Sequence, residues 1–304
     1  MNTQVNGASE SLASAAIAPP AIPVTRLIYW SLRRELWENR SIYIAPLAAA
    51  VVFLFGFIIS VARSRYLHSL EAAHPHHGLT TPHEFAAGLI MGTAFIVGIF
   101  YSLDALYGER RDRSILLWKS LPVSDVITVL SKLTIPILVL PLLSFVITIA
   151  TQFIMLLLST VLLLGSGQDL AALWTQSSFF HVSLMLLYHL LLVHGLWYAP
   201  MYGWLLLVSA WAPRAPFIWA FLPPFVVVVV EKMAFNTTYF LDVLKYRVTG
   251  PEGPGSMTGN TPMDPLASLI PVKFFSVPGL WIGLAVAAAF LAVTVRLRRS
   301  RGPI

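Results

Sequence analysis

Long stretches without one charged side chain decide what this chain can fold into. None of Asp, Glu, Lys or Arg occurs between Ser41 and Ala62, between Phe217 and Val230, or between Pro278 and Val295. At 1.5 Å per helical residue, about 20 such residues cross the ~30 Å hydrocarbon layer of a bilayer. Charged residues make up only 11% of the 304 positions and sit between these runs, whereas a water-soluble domain carries about 25%. A transmembrane β-barrel would alternate apolar and polar side chains in segments of about ten, and Phe225–Val230 and Ala285–Ala292 do not alternate. The pattern predicts an all-α polytopic membrane protein and excludes a soluble globular enzyme.

Six transmembrane helices are expected: Ile42–Ala62, Phe85–Tyr107, Leu130–Leu164, Phe179–Trp211, Phe217–Met233 and Pro278–Val295. The third and fourth are longer than a bilayer requires. Pro136 and Pro141 in one and Pro200 in the other predict kinks, tilt or extension beyond the lipid. Pro223 and Pro224 interrupt the fifth. Residues 1–24 are rich in Ala, Ser and Pro with no basic residue, which reads as a disordered cytoplasmic tail rather than a signal peptide. Residues 25–41 read as an interfacial amphipathic helix, with Ile28, Tyr29, Leu32 and Leu36 on one face and Arg33, Arg34, Glu38 and Arg40 elsewhere. An outer loop over 234–277, with apolar Leu266–Phe275 as a re-entrant or interfacial piece, and a cytoplasmic tail over 296–304 complete the layout.

Orientation follows from the basic residues. With the N-terminus inside, fourteen of the 20 lysines and arginines fall in inner segments, which places both termini in the cytoplasm. The net charge of +6 then marks helix ends and calls for no nucleic acid. The absence of cysteine removes disulfides, thiolate metal sites and a cysteine nucleophile.

The inner connection from Tyr107 to Ser124 carries the most information. Five consecutive charged residues, Glu109, Arg110, Arg111, Asp112 and Arg113, precede apolar Ile115–Trp118, then Lys119 and the stop at Leu121 and Pro122. Ser124 and Asp125 are placed to cap the helix that follows. Such a segment would lie along the membrane surface with its charges offered to the cytoplasm; an ordinary positive-inside loop has the same composition. Over residues 108–124 it resembles the coupling segment of the ABC-2 family of ABC transporter permeases, and the layout of six spans with an interfacial N-terminal helix resembles that family's type V exporter-like architecture. The resemblance implies a permease subunit of an ATP-driven transporter in a bacterial inner membrane, paired with a second permease subunit. It also implies a separate ABC ATPase, which holds the ATP and magnesium and docks on Glu109, Arg110, Arg111, Asp112, Arg113, Trp118 and Lys119. The chain itself would be no enzyme, and it contains no G-x-x-x-x-G-K-[ST] loop.

Other candidates carry less. His74, His76, His77 and His83 share an outer loop with His68, and imidazole is a common metal ligand, but their spacing does not preset a site. His181, His189 and His194 lie in the fourth span, where helix-to-helix hydrogen bonding is the simplest role. Gly88 and Gly92, and Gly279 and Gly283, form small-xxx-small pairs that predict close helix packing. Asp104, Lys132 and Glu231 sit near span ends, where snorkelling or local pairing accounts for them. Apolar spans with few charges favour an amphipathic or apolar cargo over a small ion. The alternative readings are a membrane-embedded enzyme or metal-binding protein built on the histidines, and a structural anchor.

Overall fold

The computed structural model describes residues 23–68, 80–116, 123–163, 183–184, 186–187, 189–249 and 274–302. Helices α1 (Val24–Glu38), α2 (Ser41–His68), α3 (Thr80–Asp104) and the short α4 (Tyr107–Arg111) are followed by α5 (Asp125–Thr134) and α6 (Leu140–Leu163), joined by a π-helical segment, Ile135–Val139. A second π-helical segment, His189–Trp197, leads into α7 (Ala199–Trp211), and α8 (Pro216–Phe235), α9 (Tyr239–Thr249) and α10 (Pro278–Ser300) complete the order. No strand occurs among the described residues.

Five helical stretches are long and apolar enough to cross a membrane: Ser41–Val61, Phe85–Arg111, Asp125–Val161, Pro216–Phe235 and Pro278–Ser300. They match five of the six expected spans. Of the expected fourth span, Phe179–Trp211, the described part is its second half, a π-helical segment followed by α7. Large apolar side chains such as Val52, Phe55, Phe225 and Val230 point outward, as a lipid solvent requires. Only Ala220 of α8 is buried, so that helix sits at the periphery. The expected tail over 1–22, the tail end beyond Gly302, the loop residues 69–79 and 250–273, and the segment 117–122 lie outside the described residues.

The prolines Pro136 and Pro141 interrupt the regular α-helix through a specific device. Pro136 and Pro141 each lack an N–H, so the ordinary four-residue ladder cannot run through this stretch. The chain widens instead, and the Leu140 N–H reaches back five residues to the Ile135 carbonyl. The second π-helical segment packs on the first at Gly195, where an added Cβ would stand 3.5 Å from the Ile137 side chain. The continuous stretch Asp125–Val161 has 37 residues. At 1.5 Å per residue it is far longer than the hydrocarbon layer, so α5 projects beyond it.

Of the two small-xxx-small pairs, Gly88 and Gly92 have nothing among the described residues within 4 Å of the position an added Cβ would occupy. On α10 the two glycines accept side chains from α9: Tyr246 lies against Gly279, and the Arg247 guanidinium fills the space beside Gly283. The close helix contact falls instead at Gly203 of α7, where a Cβ would meet the Ala287 carbonyl oxygen at 3.5 Å on α10.

Helix α9 is fastened across this surface. Arg247 donates to the Gly279 carbonyl at 2.6 Å and to the Trp197 carbonyl at 3.4 Å, and its guanidinium lies 4.4 Å from the Trp197 ring centroid. Trp197 returns a hydrogen bond to the Arg247 carbonyl at 2.9 Å. At the other end Glu231 accepts from the Thr237 hydroxyl and from the backbone N–H groups of Tyr239 and Phe240, so of the two expected roles it takes local pairing and caps the start of α9. Gly283→Ala must displace the guanidinium from its carbonyl partners. The expected cost is about 1.5–3 kcal/mol, the scale of a hydrogen bond to a charged group. Thermal unfolding in detergent measures it, and an unchanged transition would show that Arg247 relocates freely.

Candidate functional site

The residues that carry the strongest electrostatics gather at one end of the bundle, beneath the start of the 107–124 segment. Lys132 on α5 is 3% exposed and stands between two carboxylates. Its ammonium donates to Glu35 Oε1 on α1 at 2.7 Å and makes an ion contact with Glu109 Oε1 on α4 at 3.2 Å. The second Glu109 oxygen accepts from Arg298 on α10, whose Nε also donates to Asp125 Oδ1 at 3.0 Å. Glu35 Oε2 accepts from the Tyr101 hydroxyl at 2.8 Å and more weakly from Asn39 at 3.4 Å. Three carboxylates thus face two buried cations, with exposed Arg299 3.9 Å from Asp125 at the rim.

Local sequence explains how each group arrives. Leu32, Glu35 and Leu36 fall on one face of α1, and the two leucines pack on the core formed by Ile42, Ala94 and Val129, which carries Glu35 inward. Ser124 caps α5 by accepting from the Ile127 N–H at 3.3 Å, which starts that helix with Asp125 in its first turn. The break after Asp104 is stitched by Ser209 of α7, whose hydroxyl oxygen accepts from the backbone N–H groups of Leu106 at 3.0 Å and Tyr107 at 2.9 Å. Arg110 then reaches the α7 end, donating from Nη1 to the carbonyls of Ala210 at 2.8 Å and Ala212 at 3.2 Å.

The expectation that all five charges of Glu109–Arg113 face the cytoplasm therefore needs correction. Glu109 and Arg110 are each 7% exposed and turn into the protein, because the carbonyls of α7 and the cations of α5 and α10 satisfy them there. Arg111, Asp112 and Arg113 are exposed, and Arg111 pairs with Asp112 at 3.0 Å. Arg113 adopts a left-handed conformation with φ 57°, a strained choice for a residue with a side chain, and it ends the helical run. Trp118 and Lys119 lie outside the described residues. Lys132, for which snorkelling or local pairing was expected, is paired, but with residues distant in sequence, at the centre of the buried cluster.

Among the candidate histidines, His83 and His194 have described side chains. His74, His76, His77 and His181 lie outside the described residues. His83 is partly buried at the start of α3, and that burial pushes its imidazole below the ordinary value. His194 meets the Tyr202 hydroxyl at 3.1 Å, and both rings pack on Phe95. That bond lies within the fourth span, between its π-helical and α-helical parts. Among the described residues no group of three or more His, Cys, Asp or Glu could hold a metal ion.

These features define a multi-pass helical membrane protein whose α1, α4, α5 and α10 are tied together by buried charge. No protein family, curated protein or solved structure matches the chain.

Proposed function

We propose that this chain is the permease subunit of an ATP-driven transporter of the ABC-2 type, with the exposed turn Arg111–Arg113 and the residues that follow it as the docking site of a separate ATPase. The observation that carries the reading is the segment Tyr107–Ser124, whose motif resembles the coupling segment of that family. Its charges divide into an inward pair, Glu109 and Arg110, and an outward trio, Arg111, Asp112 and Arg113. A docking element has to pass force into the membrane domain, and a segment tied by Glu109 to α5 and α10 moves with those helices.

On this reading both termini face the cytoplasm of a bacterial cell, a second permease subunit completes the pathway, and the cargo is an amphipathic or apolar molecule moved across the membrane. ATP and magnesium belong to the ATPase. Expression of the chain with each ABC ATPase encoded in the same genome, followed by co-purification and measurement of ATP hydrolysis in liposomes, tests it. Stable association and permease-dependent hydrolysis are expected. An unmodified protein that associates with no ATPase would sink the transporter reading.

A further inference from the structure

Beside the ionic cluster lies a small open pocket lined by Leu106, Arg110, Ile115, Ala210, Arg298 and Arg301. Of the described residues that border it, three carry guanidinium groups and none carries a carboxylate. From this geometry we infer that the pocket binds a phosphate-bearing anion, with Arg110 as its anchor. The inference stands independently of the transporter reading.

Arg110 supplies the decisive observation. The residue is 7% exposed, yet both hydrogen bonds of Nη1 go to backbone carbonyls, which carry no net charge. Among the described residues its Nε–H has no partner. A buried guanidinium with an open donor and no carboxylate partner is costly, and an anion at the pocket relieves both deficits at once. Arg298 is held in place from behind by Glu109 and Asp125, so its charge is partly neutralised but its position is fixed. Arg301 is steadied by donating to the Trp211 carbonyl at 2.8 Å. Planar guanidinium forks suit phosphate oxygens better than a point charge does.

The enclosed part of the pocket is no larger than a water molecule and Arg110 Nε is itself buried, so the anion sits in the mouth and the Arg110 side chain turns outward to meet it. The depth of the site matters too. Arg110 lies one residue from the end of the stretch Phe85–Arg111, and Arg298 and Arg301 flank the end of Pro278–Ser300. That is the level at which lipid phosphates lie. The phosphate can come from an anionic lipid headgroup or from solution.

The test uses the full chain purified in a neutral detergent without phosphate, with thermal unfolding followed by tryptophan fluorescence. One arm titrates inorganic phosphate at constant ionic strength; the other adds phosphatidylglycerol to the micelles, with phosphatidylcholine as control. A saturable rise in the unfolding temperature in the first arm identifies a site for free phosphate, and a rise only with phosphatidylglycerol identifies a headgroup site. Both results support the inference. Arg110→Lys keeps the charge but removes the Nε–H, and it is expected to weaken the half-saturating concentration about tenfold or more. Arg301→Gln, at the rim, makes the same test should Arg110→Lys fail to fold. No saturable rise in either arm, or an unchanged half-saturation in the folded variant, overturns the inference.

Discussion

Lys132→Met is expected to lower the unfolding free energy by about 3–5 kcal/mol, the usual cost of removing one partner from a buried ion pair. Methionine has nearly the length of lysine and packs in the same space, so the change isolates the charge. Without the ammonium, Glu35 and Glu109 lose the cation that lies 2.7 and 3.2 Å from their Oε1 atoms, and two buried carboxylates are left near one another. Tyr101 still donates to Glu35 and Arg298 to Glu109, so the cost is not the full penalty of two bare charges. Denaturation in mixed micelles followed by tryptophan fluorescence provides the measurement. The double variant Lys132→Met with Glu35→Gln is expected to regain a large share of the loss, because Glu109 keeps Arg298 and the amide needs no counter-charge. A loss below about 1 kcal/mol in the single variant would mean that water reaches the cluster, since an exposed pair contributes no more than that.

The spans were legible because the signal for them is local. An uncharged run of about 20 residues reports on its own solvent, and Ser41–Ala62 reads the same whatever packs beside it. The Ser124 cap and the helix interruption at Pro136 were legible for the same reason: each depends on groups within about one helical turn. The ionic cluster was not, because it joins residues 74 and 97 positions from Glu35 and 189 positions from Glu109. No periodicity links Glu35 to Lys132. One clue was available: a carboxylate between Leu32 and Leu36 on the apolar stripe of α1 has to find a partner or leave the stripe. The pair Gly279 and Gly283 shows a second limit. Small residues at four-residue spacing mark room beside a helix, and they do not say whether a helix, the Arg247 guanidinium or lipid fills it.

Charge reversals at Glu109 and Arg113 should separate the element that holds the segment from the element that docks. Glu109→Lys sets a third cation against Lys132 and Arg298 at a buried position. Its expected cost is at least that of Lys132→Met, about 3–5 kcal/mol, so the variant is expected to accumulate poorly and to unfold readily in detergent. Loss of ATPase binding there would say nothing about docking. Arg113 is exposed, and glutamate meets the same backbone strain at φ 57° as arginine does. Arg113→Glu is therefore expected to leave stability within about 0.5 kcal/mol of the unmodified chain. If the outward trio is the docking surface, that variant should weaken ATPase association by tenfold or more, with an altered salt dependence, because a like charge then meets the partner's complementary surface. Affinity of the ATPase for the purified permease at two ionic strengths, beside the unfolding curve of each variant, gives both readings from the same preparations. Unchanged affinity in Arg113→Glu, with its fold intact, would remove Arg113 from the docking surface, and normal folding of Glu109→Lys would show that the segment is not held by the cluster at all.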